Sequence, residues 1–189
     1  MGAACFRGRS TRSLLFVGLD GAGKSCLLAW LEPTSSTTSV IAPTIGARRC
    51  QFAWARSRAR FQAWDLSGHG RYRRLWPYYA GHVHAIVFVV DATDKARLPV
   101  VRRELWALLN HKALVDRATP LLLFLNKSED PNAVSIKEME RRLHLHQLKR
   151  CWRAEACSAV TGAGVAAGVD WLTTTLLDAE SDENAHDLI

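Results

Sequence analysis

The sequence predicts an α/β fold: a doubly wound, mostly parallel six-stranded sheet with helices on both faces. Three observations carry this expectation. Short apolar runs, Leu14–Val17, Ile86–Val90 and Leu121–Leu125, recur along the chain and read as fully buried parallel strands. Segments with helical spacing lie between them. The first run ends in a glycine-rich turn, and open α/β sheets bind ligands beyond the carboxyl ends of their strands.

Taken in order, Leu14–Val17 is the first strand, and Leu27, Leu28 and Leu31 mark an apolar helix after the glycine turn. Phe52 and Trp54, then Phe61 and Trp64, alternate on either side of Arg56–Arg58, which predicts a hairpin and an antiparallel edge. Ile86–Val90 follows, then a helix through Val101, Leu105, Leu108 and Leu109. After Leu121–Leu125, Ser135 and Glu138 form an S-x-x-E capping box that predicts a helix running through Leu148. A last short strand precedes Ser158-Ala159. No linker or repeat divides the chain. Residues 13–177 read as one domain, flanked by a flexible basic N-terminal segment over 1–12. An acidic tail follows over 178–189, where Asp178, Glu180, Asp182, Glu183 and Asp187 stand without Lys or Arg.

Composition excludes several classes. The chain has 189 residues, 48% of them hydrophobic and 23% charged, enough to bury a core without metals or disulfides. The longest apolar run, Ala85–Val90, is far short of the roughly 20 residues that span a bilayer, and no apolar signal-peptide core is present. The five cysteines form no C-x-x-C pair and read as free thiols in a reducing cytosol. The net charge of +7 implies an acidic partner: nucleic acid, anionic membrane or an acidic protein surface.

Gly18-Leu19-Asp20-Gly21-Ala22-Gly23-Lys24-Ser25 fits the phosphate-loop pattern G-x-x-x-x-G-K-S/T. Its glycines allow a tight loop whose backbone N–H groups wrap a phosphate at a helix N-terminus. The expected nucleotide contacts here are Asp20, Gly21, Ala22, Gly23, Lys24, Ser25 and Cys26. Lys24 would reach the β/γ-phosphates, and the Ser25 hydroxyl would hold Mg²⁺. Thr44, in Pro43-Thr44-Ile45-Gly46, would supply a second Mg²⁺ ligand. Asp65-Leu66-Ser67-Gly68 gives a D-x-x-G, in which Asp65 would hold Mg²⁺ through water and the Gly68 N–H would face the γ-phosphate. Asn126-Lys127 and Ser158-Ala159 follow later strands at the same sheet edge.

In this order and spacing the set resembles the small GTPases of the Ras superfamily. The glycine loop, Pro43–Gly46 and Leu75-Trp76-Pro77-Tyr78-Tyr79 resemble the Arf/Arf-like family. Ser67-Gly68-His69-Gly70-Arg71-Tyr72-Arg73, Leu109-Asn110-His111 and Gly168-Val169-Asp170-Trp171-Leu172 most resemble its ciliary branch, whose member recruits the BBSome coat. The resemblance implies GTP/GDP with Mg²⁺ as cofactors and a molecular switch with slow or activator-dependent hydrolysis. It also implies an effector coat or adaptor bound through the switch and interswitch surface, with an exchange factor and an activating protein. A non-cycling nucleotide-binding scaffold is the alternative.

Three positions depart from the family pattern. His69 stands where members carry the glutamine that orients the attacking water; with Lys24 it makes the expected catalytic pair, or it is a loop residue and hydrolysis is almost nil. No arginine is expected to act in cis. Glu129 replaces the aspartate that reads guanine, so that Glu129 or the following Asp130 takes that role, or guanine selectivity is weakened. Ala47 replaces a phenylalanine of the effector patch, leaving Trp64, Trp76 and Tyr79, of which Trp76 has a core reading as well.

Gly2 lacks the Ser/Thr at position 6 that the myristoylation pattern asks for, Phe6 standing there, and Cys5 is a second candidate for lipidation. Membrane contact is therefore expected to be weak or partner-dependent, for a monomer that is cytoplasmic and peripheral at the base of a cilium or flagellum. No recognition motif for nucleic acid accompanies the basic charge, and none is expected to bind.

Overall fold

The computed structural model describes residues 11–32, 44–57 and 59–186, with the backbone alone over 180–186. Gly2, Cys5, Pro43 and Arg58, and most of the expected N-terminal segment, lie outside the described residues.

Six strands form one sheet in the order β2-β3-β1-β4-β5-β6. They are β1 (Arg12–Val17), β2 (Ala47–Trp54), β3 (Ala59–Leu66), β4 (Ala85–Asp91), β5 (Leu121–Asn126) and β6 (Trp152–Ala156). All neighbours are parallel except β2 and β3, the expected hairpin, paired with Cys50 opposite Ala63. The helices are α1 (Lys24–Leu31), α2 (Trp76–Ala80), α3 (Leu98–Leu109), α4 (Ile136–Leu143) and α5 (Val165–His186).

Strand period 2 divides the core into two layers. Leu14 and Phe16 of β1 pack with Leu27 and Leu28 of α1 and with Val169 and Leu172 of α5. Leu15 and Val17 face the other way, among Trp76 of α2, Leu105 of α3 and Met139 of α4. Both faces of β1, β4 and β5 are covered, which is why their sequences are unbroken apolar runs rather than alternating ones. Among the described residues no helix is long and apolar enough to cross a membrane.

Three local features differ from the sequence pattern. The helix expected to run through Leu148 stops at Leu143, because His144 takes a left-handed conformation (φ 59°) and a short 3₁₀ turn over Leu145–Gln147 follows. Ser135 caps α4 by accepting from the Glu138 N–H, but the Glu138 carboxylate bonds Arg141 and Arg142 instead of reaching back. Helix α5 continues into the acidic segment as far as His186.

The hairpin is tied to α5. Trp54 Nε1 and Arg56 Nη1 both donate to the Asp170 carboxylate at 2.6 Å. The sheet order reverses about β1, so the loops after β1, β3, β4, β5 and β6 open on one edge, with the glycine loop at the reversal.

Candidate nucleotide site

The phosphate loop turns between β1 and α1. Gly23 precedes the helix at φ 90°, and a Cβ there would lie 2.2 Å from the Asn126 amide, so only glycine fits. Gly68, from the D-x-x-G, is pressed against the same loop: a Cβ on it would stand 2.3 Å from the Asp20 nitrogen. The glycine spacing thus brings the loops after β1 and β3 into backbone contact. Between them opens a cavity of about 540 Å³. Asp20, Gly21, Gly23, Lys24, Ser25 and Cys26 line one side, with Thr44, Ile45, Gly68, His69, Arg71 and Tyr72 opposite. The Ala22 side chain is in the core instead, and its carbonyl accepts from Asn126 Nδ2 at 2.9 Å.

Lys24 is buried, and its Nζ donates to the carbonyls of Gly18 and Leu19 at 2.9 and 2.8 Å. Burial pushes its ammonium down to about 8, against the pull of Asp65 and Asp20. Ser25 Oγ donates to Asp65 Oδ2 at 2.5 Å, lies 2.9 Å from Thr44 Oγ1, and Thr44 Oγ1 reaches the same carboxylate oxygen at 3.3 Å. Burial raises the Asp65 carboxyl, against the Ser25 bond, Lys24 and Arg48. Its other oxygen, Oδ1, is buried with no hydrogen-bond partner among the described residues. An orphaned carboxylate oxygen beside two hydroxyls is a hard, all-oxygen donor set of the kind Mg²⁺ takes with several waters retained.

Two arginines that sequence reasoning missed hold the loop. Arg73 donates to the Gly68 carbonyl at 2.7 Å and to Asp20 Oδ1 at 3.2 Å, while Arg97 donates to Asp20 Oδ2 at 3.0 Å. Burial works to raise Asp20, but its own backbone N–H, Arg97 and Arg73 keep it below the usual carboxylate range. The signal was faint, since Arg73 sits in a run of other basic residues and Arg97 in no recognisable motif.

A second cluster stands beside the first. Asn126 Oδ1 accepts from the Ala159 N–H at 2.9 Å, so this one buried side chain staples the loop after β6 to the phosphate loop. Lys127, at φ 65°, pairs with Asp91. Ser158 Oγ accepts from the N–H groups of Val160 and Thr161, which fixes its loop. Asp130 is committed to the following turn, its Oδ1 accepting from the Asn132 N–H at 2.7 Å. Glu129 is exposed, and its charge still reaches Cys157 beside Asn126: burial chiefly, then Glu129 and Glu155, push that thiol up to about 12. Asn126, Lys127, Glu129, Ser158 and Ala159 do not line the cavity beside Lys24.

His69 is exposed on the cavity wall, its ring 6.3 Å from that of Tyr72 in an edge-on arrangement. Trp76 is core and not part of a surface patch: it is 2% exposed, stands edge-on to Phe88, and donates through Nε1 to the Ser67 carbonyl at 3.1 Å. Trp64 and Tyr79 remain partly buried as a tilted pair 5.2 Å apart. Ile45, which lines the cavity, and Tyr78 of α2 are large apolar side chains 80% and 75% exposed. Four cysteines, Cys26, Cys50, Cys151 and Cys157, are free thiols as expected.

Comparison with known proteins agrees with this geometry. The profile of the ADP-ribosylation factor family matches residues 3–176. ADP-ribosylation factor-like protein 6 of Danio rerio is 40% identical over 161 residues, covering 85% of this chain and 86% of that one. ADP-ribosylation factor-like protein 1 of Saccharomyces cerevisiae is 36% identical over 168 residues, covering 88% of each. The structure of the Arl6 BBS3 small GTPase from Trypanosoma brucei with bound nucleotide analogue GppNp superimposes with a TM-score of 0.81 at 28% identity, covering 89% of this chain and 99% of that one. With the six-stranded sheet, the phosphate loop and the D-x-x-G contact in place, the chain belongs to the ADP-ribosylation factor family as an Arf-like small GTPase.

Proposed function

We propose that this chain is a GTP-dependent switch with slow hydrolysis that recruits a coat or cargo adaptor, BBSome-like, at a ciliary membrane. The observation that carries the switch is the convergence of Ser25, Thr44 and Asp65 beside Lys24. Thr44 comes from the segment ahead of β2 and Asp65 from the end region of β3, so a ligand touching both couples them.

Ser25 and Thr44 would hold Mg²⁺ directly and Asp65 through water, and the ion would neutralise charge on the β/γ-phosphates. Lys24 Nζ exchanges two carbonyls for phosphate oxygens, which restores the charge that burial disfavours. Thr44 and the Gly68 N–H read the γ-phosphate. His69 orients the attacking water through an imidazole nitrogen, and an activating protein accelerates the step. Glu129 reads guanine, since Asp130 is occupied in its own turn. The hairpin relays the state to an effector surface of Trp64, Tyr79, Ile45 and Tyr78, flanked by Arg48 and Arg49. Similarity to ADP-ribosylation factor-like protein 6 and to the Arl6 BBS3 structure supports the ciliary adaptor role. Membrane contact is weak or partner-dependent, and an exchange factor loads the nucleotide.

Displacement of a fluorescent GTP analogue tests this: GTP and GDP should displace it, ATP should not, and EDTA should weaken it. Equal displacement by ATP would contradict the guanine reading.

A further inference from the structure

We propose that Arg71 is an arginine finger carried in cis, contacting the γ-phosphate during hydrolysis; the proposal rests on the reading of this chain as a GTPase. The 3₁₀ segment Gly70–Leu75 places Arg71 on the wall of the cavity that also holds Lys24 and Thr44. Its guanidinium carbon lies 4.7 Å from the centroid of the Tyr72 ring, and Tyr72 stands edge-on to His69. Stacking on an aromatic face holds a guanidinium in place without consuming its donors, all five of which stay available to phosphate oxygens.

Three other arginines near the cavity are occupied. Arg73 is on Asp20, Glu104 and the Gly68 carbonyl, and Arg97 on Asp20 and Asp94. Arg48 stands by Glu32 and Asp65. Among the described residues no carboxylate pairs with Arg71. Among the described residues it is the arginine lining this cavity, left without a protein anion, two positions from the residue proposed to orient water.

In hydrolysis a water oxygen bonds the γ-phosphorus, the bond to the β–γ bridging oxygen breaks, and GDP leaves with that electron pair. The water's proton goes to solvent or phosphate. Arg71 stays protonated throughout and offsets the charge spread over the γ-oxygens and the leaving oxygen.

Single-turnover hydrolysis of GTP by the full chain, Arg71→Ala and Arg71→Lys tests this, beside affinity for a fluorescent GTP analogue and the response of the GDP form to aluminium fluoride. Arginines in this role are worth about 10³–10⁵ in rate when supplied optimally, so a cis residue on a slow enzyme is expected to show a loss of about tenfold or more. Arg71→Ala should lose that rate and the fluoride response while keeping analogue affinity within about twofold, with Arg71→Lys intermediate. Rate and fluoride response unchanged in Arg71→Ala would overturn the proposal. So would a wild-type rate at the buffer background, which with analogue binding intact leaves the switch reading standing. Failure of the wild-type chain to bind the analogue would overturn both. Thermal melting checks that the variants fold, and Tyr72→Leu, which removes the stacking face, should reproduce part of the rate loss.

Discussion

The Ser25 hydroxyl and the Asp65 carboxylate, forty residues apart in sequence, meet at 2.5 Å across the mouth of the phosphate loop. Ser25 lies in the first turn of α1 and Asp65 one residue before the end of β3, so this one bond closes the loop after β1 over the strand beside it. Asp65 Oδ1 is buried and has no partner among the described residues. Asp65→Asn keeps the shape and removes the charge. It should weaken Mg²⁺-dependent tightening of nucleotide by about 10–100-fold, the usual effect of losing a group that acts on a metal through water. Titrating Mg²⁺ against the fluorescent analogue measures it.

Lys24 gives the site a pH signature. In the ligand-free protein its ammonium sits near 8, below the ordinary 10.5. The buried charge therefore costs stability below about 8, and that cost is relieved as pH rises from 8 toward 10.5. Nucleotide affinity moves the opposite way, falling by up to about tenfold per unit above 8 as the free lysine sheds its proton. Binding isotherms from pH 7 to 10 should show this decline, and Lys24→Met should flatten it and lower affinity throughout.

Glu129 and Asp130 should separate cleanly. An unpaired buried polar group costs about 1–3 kcal/mol, so Glu129→Gln should lower GTP affinity by about 10–100-fold and relax selection against ITP. Asp130→Asn keeps an oxygen for the Asn132 N–H and should leave the GTP affinity nearly unchanged. Competition titrations with GTP, ITP, XTP and ATP distinguish the two.

At His69, single-turnover hydrolysis should rise on His69→Gln, because a carboxamide presents both a donor and an acceptor to the water whatever the pH. A neutral imidazole offers one of each only in the right tautomer. An unchanged rate would remove His69 from the mechanism.

Asp170 should hold the hairpin to α5. Its bond from Trp54 is partly buried, whereas the Arg56 side chain is 70% exposed and its pairing screened by solvent. Asp170→Ala should therefore cost about 1 kcal/mol, a fall in Tm of about 2–4 °C, nearly all through Trp54. Arg56→Ala should cost little. Hydrogen exchange should find the loss concentrated in the amides of β2 and β3.

Most of the sheet was legible because strands covered on both faces must be apolar throughout, as Leu14–Val17 and Leu121–Leu125 are. The hairpin was legible for the converse reason: Phe52 and Phe61 alternate with exposed neighbours. The end of α4 was not, because His144 adopts a conformation that glycine or asparagine usually signals. Asp20, Lys24, Ser25, Thr44 and Gly68 line one cavity because the glycine spacing turns the chain tightly between β1 and α1 and lets the two loops touch. The arginine contacts of Asp20 depend on where α3 and the Gly70–Leu75 segment pack, which no local pattern records. Trp76 was ambiguous for a related reason: its indole N–H needs a buried acceptor, and the Ser67 carbonyl supplies one only in the folded chain.

The nucleotide released when the purified protein is denatured tests the central claim most directly. A GTP switch with slow turnover should yield about one equivalent of GDP per chain, left by hydrolysis during expression and retained with Mg²⁺. An empty site, or ATP in place of a guanine nucleotide, would contradict the account.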